Sequence, residues 1–104
     1  WLDALIPYVD ANIALLRKTC AERIPELVPT AIEGTYLQWV DTSGTGLDEE
    51  TFIHHLLNRA RIRVEAGSAF GAGGEGFIRI NLACPRSVVT EALVRIERML
   101  RAND

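Results

Sequence analysis

The run Phe77-Ile78-Arg79-Ile80-Asn81-Leu82 alternates in character and decides the fold class. Strand side chains point to opposite faces in turn, so Ile78, Ile80 and Leu82 are expected to face a core. Phe77, Arg79 and Asn81 are expected to face away from it. Downstream, Ser87 is placed to cap a last helix whose apolar stripe is Val89, Ala92, Leu93, Ile96 and Leu100. On that helix Glu91 with Arg95, and Glu97 with Arg101, are i,i+4 pairs in the favourable order. Upstream lies a glycine-rich loop, residues 67–76, and before it a short strand over residues 62–65.

Working further back, Asp48 reads as a helix N-cap, with Leu47 before it and Phe52 at the fourth helical position forming a hydrophobic staple. Phe52, Ile53, Leu56, Leu57 and Ala60 make the buried stripe of that helix. Residues 42–46, Thr-Ser-Gly-Thr-Gly, are a loop by composition. Residues 35–41 suit a pleated surface, with Leu37 and Trp39 pointing one way and Tyr36, Gln38 and Val40 the other. The chain starts with an amphipathic helix marked by Leu2, Leu5, Ile6, Val9, Ile13, Leu16 and Cys20. Pro7 predicts a kink or a fresh first turn, and Ile24-Pro25 and Val28-Pro29 end the helix. The order is helix, strand, helix, two strands, helix. Short links between strands favour antiparallel pairing, and three helical stripes need a shared surface to cover. The expectation is an α+β fold with a small antiparallel or mixed sheet and helices on one face.

The chain has 104 residues, enough for one domain and one modest core. With 11 basic and 14 acidic side chains the net charge is −3, which lacks the electrostatic footprint for nucleic acid or anionic lipid. No apolar run approaches the roughly 18 residues that span a bilayer. Cys20 and Cys84 are too few for a disulfide scaffold; one bridge between them fits the count, and two free thiols of a cytoplasmic protein fit the compartment better. Trp1 begins inside a helical pattern, and the chain is expected to be one domain, residues 1–104, of something longer.

Gly71-Ala72-Gly73-Gly74-Glu75-Gly76 fits G-x-G-x-x-G. A dinucleotide loop follows a strand and opens a helix, whereas these glycines open a strand, so the context argues against a dinucleotide site. A flexible turn supplied with positive φ, or a mobile lid beside a site, fits better. Adjacent His54 and His55 diverge on a helix and cannot share a metal, which leaves them as solvated histidines and no metal expected. Cys84 sits at a strand-to-helix junction without a histidine near in sequence, and reads as a small buried residue. Arg79 stands out, because a mid-strand charge is costly unless it meets an anion. Its planar fork suits a carboxylate ligand; an exposed arginine, or one paired with Asp41 or Glu65, fits the pattern equally well.

Residues 34–41 (Gly-Thr-Tyr-Leu-Gln-Trp-Val-Asp), 67–71 (Gly-Ser-Ala-Phe-Gly) and 76–86 (Gly-Phe-Ile-Arg-Ile-Asn-Leu-Ala-Cys-Pro-Arg) together resemble a known family. The resemblance is to the C-terminal small domain of the MalY/PatB-type cystathionine β-lyases, within the class I/II aminotransferase superfamily of fold-type I enzymes. It implies a carbon–sulfur lyase dependent on pyridoxal 5'-phosphate, which splits a thioether amino acid by β-elimination into pyruvate, ammonia and a thiol. It also implies that Arg79 grips the substrate α-carboxylate, that Phe70 and Gly71 line the cleft, and that the complete enzyme is a cytoplasmic homodimer. The cofactor lysine belongs to the larger domain in that family. Lys18, the single lysine here, is on a polar helix face, so no catalytic or cofactor-binding residue is expected in this chain and the chain alone should be inactive. Glu65-Ala66 stands where relatives often carry a proline. An aminotransferase small domain and a non-enzymatic ligand-binding module are the alternatives.

Overall fold

The computed structural model describes residues 2–33, 36–71 and 73–102, without the side chains of residues 2–8 and 33. The expectations at Trp1, at Thr35 and for the side chains of Leu2, Leu5 and Ile6 therefore lie outside what is described. Strand β1 (Val28–Glu33), β2 (Leu37–Asp41), β3 (Glu65–Ala66) and β4 (Phe77–Asn81) form one sheet in the order β1-β2-β4-β3. Each neighbouring pair is antiparallel. Helices α1 (Leu2–Arg23), α2 (Glu49–His55) and α3 (Arg86–Arg101) cover one face, which makes the fold α+β as expected.

The core lies between that face and the helices. Val40 and Ile78 are fully buried there with Leu16, Cys20, Ile24, Phe52, Leu56 and Ile96. Burying a large aliphatic or aromatic side chain contributes roughly 1.5–3 kcal/mol, so this layer carries the stability. Asn12 is also fully buried. Its Nδ2 donates to the carbonyls of Leu82 at 2.9 Å and Cys84 at 2.8 Å, pinning α1 to the junction where β4 turns into α3. Asp48 caps α2 by accepting from the Thr51 N–H at 2.7 Å, and Glu49 and Glu50 add favourable charge to its first turn. That bond holds the Asp48 carboxyl below its usual range.

Several local expectations are corrected. Strand β1 runs against the sequence reading, because Val28-Pro29 reads as a breaker. Proline is tolerated at a sheet edge, and here the register shifts between Pro29 and Ile32. The buried Gln38 amide donates to the Ala31 and Trp39 carbonyls at 3.2 and 2.8 Å across that irregularity. The strand expected over residues 62–65 shrinks to Glu65–Ala66. A wide π-helical turn, Leu56–Ala60, extends α2, and Arg61 closes it at φ 60. Ile62 then donates its N–H back to Leu56 at 2.9 Å instead of to a strand partner. The same wide turn leaves Leu57 exposed.

Helix α1 runs continuously through Pro7, where one missing N–H near the helix start removes a single helical bond. Helix α3 begins at Arg86 with Pro85 as its cap residue, ahead of Ser87, and the Pro85 carbonyl accepts from Val88 and Val89. Glu91 does pair with Arg95 at 3.0 Å. Glu97 and Arg101 instead reach across to the end of α1. Glu97 meets Arg23 at 3.0 Å, and Arg101 meets Glu26 and the Arg23 carbonyl.

Candidate functional site

The candidate site lies on the helix-free face of the sheet. Register places Trp39 of β2 and Glu65 of β3 directly opposite Arg79 of β4, one on each side. Cross-strand partners share a face, so Trp39, Arg79 and Glu65 form a row. Arg79 Nε lies 3.2 Å from Glu65 Oε1 and its Nη2 lies 3.0 Å from Oε2. This is a two-pronged pair with one edge of the guanidinium. The Arg79 side chain is only 14% exposed, against 50% for Glu65.

Phe70 supplies much of that cover. Its ring centroid is 3.9 Å from the Arg79 Cζ, a cation–π contact that seats the guanidinium over an apolar ring. Trp39 meets Phe70 edge-on at 5.7 Å and Phe77 at 6.2 Å, which makes an aromatic floor.

The glycine-rich loop sets Phe70 in place. Residues Gly67–Phe70 form a short 3₁₀ turn that ends at Gly71, whose φ of 114° favours glycine. Gly67 and Gly74 pack backbone to backbone. A Cβ on either would fall 2.1 Å from the carbonyl oxygen of the other. The Ser68 N–H donates to Glu49 Oε1 at 3.0 Å, tying the turn to α2. At the far end, Thr42 donates both its N–H and its hydroxyl to the Gly76 carbonyl at 2.9 Å. The loop then opens β4, so its glycines serve a folded turn and no helix follows them.

Of the two acids expected within reach of Arg79, Glu65 makes the pair, on a half-covered face. Asp41 is engaged elsewhere: its carboxylate accepts from the Ser43 N–H at 2.9 Å, which holds its pKa below the usual range. Phe70 is 46% exposed and Gly71 is exposed beside it. Trp39 and Phe77 escape the sequence reading of the site, although their outward parity on adjacent strands, together with Arg79, is a readable signal.

The remaining candidates stand apart from this face. Cys84 is half-buried with its Sγ 3.7 Å from the Asn81 carbonyl, and burial raises its pKa, the opposite of an activated nucleophile. Cys20 is fully buried and its thiol is pushed up to about 11 by desolvation. Both are free thiols. His54 is exposed, but His55 is half-buried with an unpartnered Nδ1, so only the first is the solvated histidine expected. Among the described residues no three possible metal ligands come together, and no helix is long and apolar enough to cross a membrane.

Residues 1–96 match the family described as Aminotransferase class I and II. The chain belongs to that family. It is 31% identical over 100 residues to cystathionine beta-lyase PatB of Bacillus subtilis, covering 96% of this chain and 26% of that protein. Cystalysin of Treponema denticola, a structure that contains a pyridoxal 5'-phosphate cofactor, superposes with a TM-score of 0.93 at 38% identity, over 100% of this chain and 26% of that one. The pyridoxal-phosphate-bound C–S lyase of Staphylococcus hominis superposes at 0.87 with 33% identity, over 99% of this chain and 28% of that one. The chain therefore spans about a quarter of the length of the relatives it matches.

Among the described residues no lysine lies on the Arg79 face of the sheet. Lys18, the single lysine, is exposed on α1, and α1 packs on the sheet face opposite Arg79.

Proposed function

We propose that this chain is the substrate-carboxylate-recognising small domain of a pyridoxal-phosphate-dependent carbon–sulfur lyase of the cystathionine β-lyase type. The observation that carries this reading is the Arg79 fork, largely desolvated on the Phe70 ring and already satisfied by a carboxylate. A guanidinium so held fixes an incoming carboxylate in its own plane, which fixes the orientation of the amino acid bearing it. Phe70 and Gly71 line the mouth of the cleft and limit water around that contact. The cofactor, held by a larger domain, supplies the electron sink for β-elimination of a thioether to pyruvate, ammonia and a thiol. In this reading the chain alone has no turnover, and the complete enzyme is a cytoplasmic homodimer.

Arg79→Lys tests the assignment in the complete protein. Lysine keeps the charge but loses the two-pronged geometry. Losing a charge-assisted pair in a desolvated site costs roughly 2–5 kcal/mol, on the order of 30- to several-thousand-fold in kcat/KM for L-cystathionine. Unchanged kinetics in that variant would show Arg79 to be a structural ion-pair residue.

A further inference from the structure

Glu65 is the unexpected member of the row. It sits on a two-residue edge strand directly across from Arg79, is half exposed, and reaches over the sheet to present a carboxylate to the same fork that the proposed function gives to the substrate. Both of its oxygens engage the guanidinium, as a bound amino-acid carboxylate would. The Phe70 ring keeps the cation in position whichever carboxylate is present, since the ring centroid lies 3.9 Å from Cζ while Glu65 bonds Nε and Nη2. Edge strand β3 also makes Glu65 free to swing outward. It has a pairing partner on one side only, and its side chain is open to water.

We propose that Glu65 is an intramolecular occupant of the substrate-carboxylate subsite, displaced when an amino acid binds, and so a residue that sets affinity for the substrate. The inference rests on the reading of Arg79 as the carboxylate clamp. An internal ligand lowers apparent affinity by the fraction of time that it leaves the site empty. For a half-exposed pair that fraction is modest, which predicts an effect of about two- to fivefold. The occupant has a clear use: it keeps a desolvated arginine paired between turnovers and rejects ligands without a carboxylate strong enough to compete.

The experiment compares Glu65→Gln, Glu65→Asp and Arg79→Lys in the complete protein with L-cystathionine as substrate, and measures sodium propionate binding by calorimetry at matched ionic strength. Glu65→Gln is expected to lower KM and the propionate Kd by about two- to fivefold, with kcat moving less than about twofold. Glu65→Asp keeps the charge but is one methylene shorter, so it is expected to follow Glu65→Gln. Retention of wild-type affinity by Glu65→Asp would reduce Glu65 to a through-space charge and overturn the occupant role. A rise in KM for Glu65→Gln, with Arg79→Lys still damaging, would make Glu65 a positioning residue and leave the Arg79 assignment standing. A harmless Arg79→Lys would instead remove the clamp itself.

Discussion

Ile78 and Arg79 are consecutive residues of β4, and they face two differently built surfaces. Ile78 is fully buried among aliphatic and aromatic side chains from all three helices. Arg79 lies on a face without helices, where an aromatic ring, a carboxylate and partial solvent surround it. The packed face holds the fold by excluded water and close contact. The open face holds a charge in a fixed geometry between a ring and a carboxylate. On the proposed function, stability and recognition are divided across one strand, with alternation as the dividing rule.

Truncating Ile78 and Arg79 in turn separates the two surfaces by the largest effect. Ile78→Ala should cost about 3 kcal/mol, since it opens a cavity in a layer that cannot collapse freely. Arg79→Ala should cost about 1 kcal/mol or less, because Glu65 is half exposed and regains water when its partner goes. Thermal melts of the two variants of the complete protein measure the difference. Equal losses would mean that the open face is structural as well.

That division was legible because period two is visible in a single strand, and the stripe of α3 and the Asp48 cap were legible for the same local reason. What escaped depends on partners distant in sequence. Pro29 argues against a strand until the edge position of β1 is known, and residue 62 looks extended until Arg61 adopts a left-handed conformation. Asn12 gives no local sign that it will hold two carbonyls about seventy residues away. At the site, the parity of Arg79 was readable, and Glu65 was one of two acids in reach. The ring over Arg79 was not, because Phe70 is aimed by the contact of Gly67 with Gly74 across the loop.

That contact gives the next test, of intermediate size. Gly74→Ala puts a methyl against the Gly67 carbonyl, backbone against backbone, and should cost about 2 kcal/mol while moving Phe70 off Arg79. Gly73→Ala, one residue away, meets open space and carries only the strain of its φ of 93°, about 1 kcal/mol. Melts should therefore rank Gly74→Ala as the worse, and, on the proposed function, KM of the complete protein for L-cystathionine should rise more for Gly74→Ala than for Gly73→Ala. The reverse order would mean that the loop does not aim the site.

The smallest effect lies at the rim of the packed face, where Glu26 joins the end of α1 to Arg101 of α3. The hydrogen bond from Arg101 holds the Glu26 carboxyl below its ordinary pKa. A carboxylate depressed in the folded state contributes its stabilisation fully above the unfolded pKa, and loses it as pH falls through the lower folded value. Wild type should therefore exceed Glu26→Gln by up to about 1 kcal/mol at neutral pH, discounted for its partial exposure. The gap should be full above the ordinary glutamate value of about 4.3 and narrow as pH falls through the lower folded value, because protonation then removes the same charge that the substitution removes. Melts across that range read the gap directly. A gap that stays constant into acid would show that the Glu26→Gln substitution disturbs packing instead of charge, and that this rim belongs with the packed face in kind as well as in place.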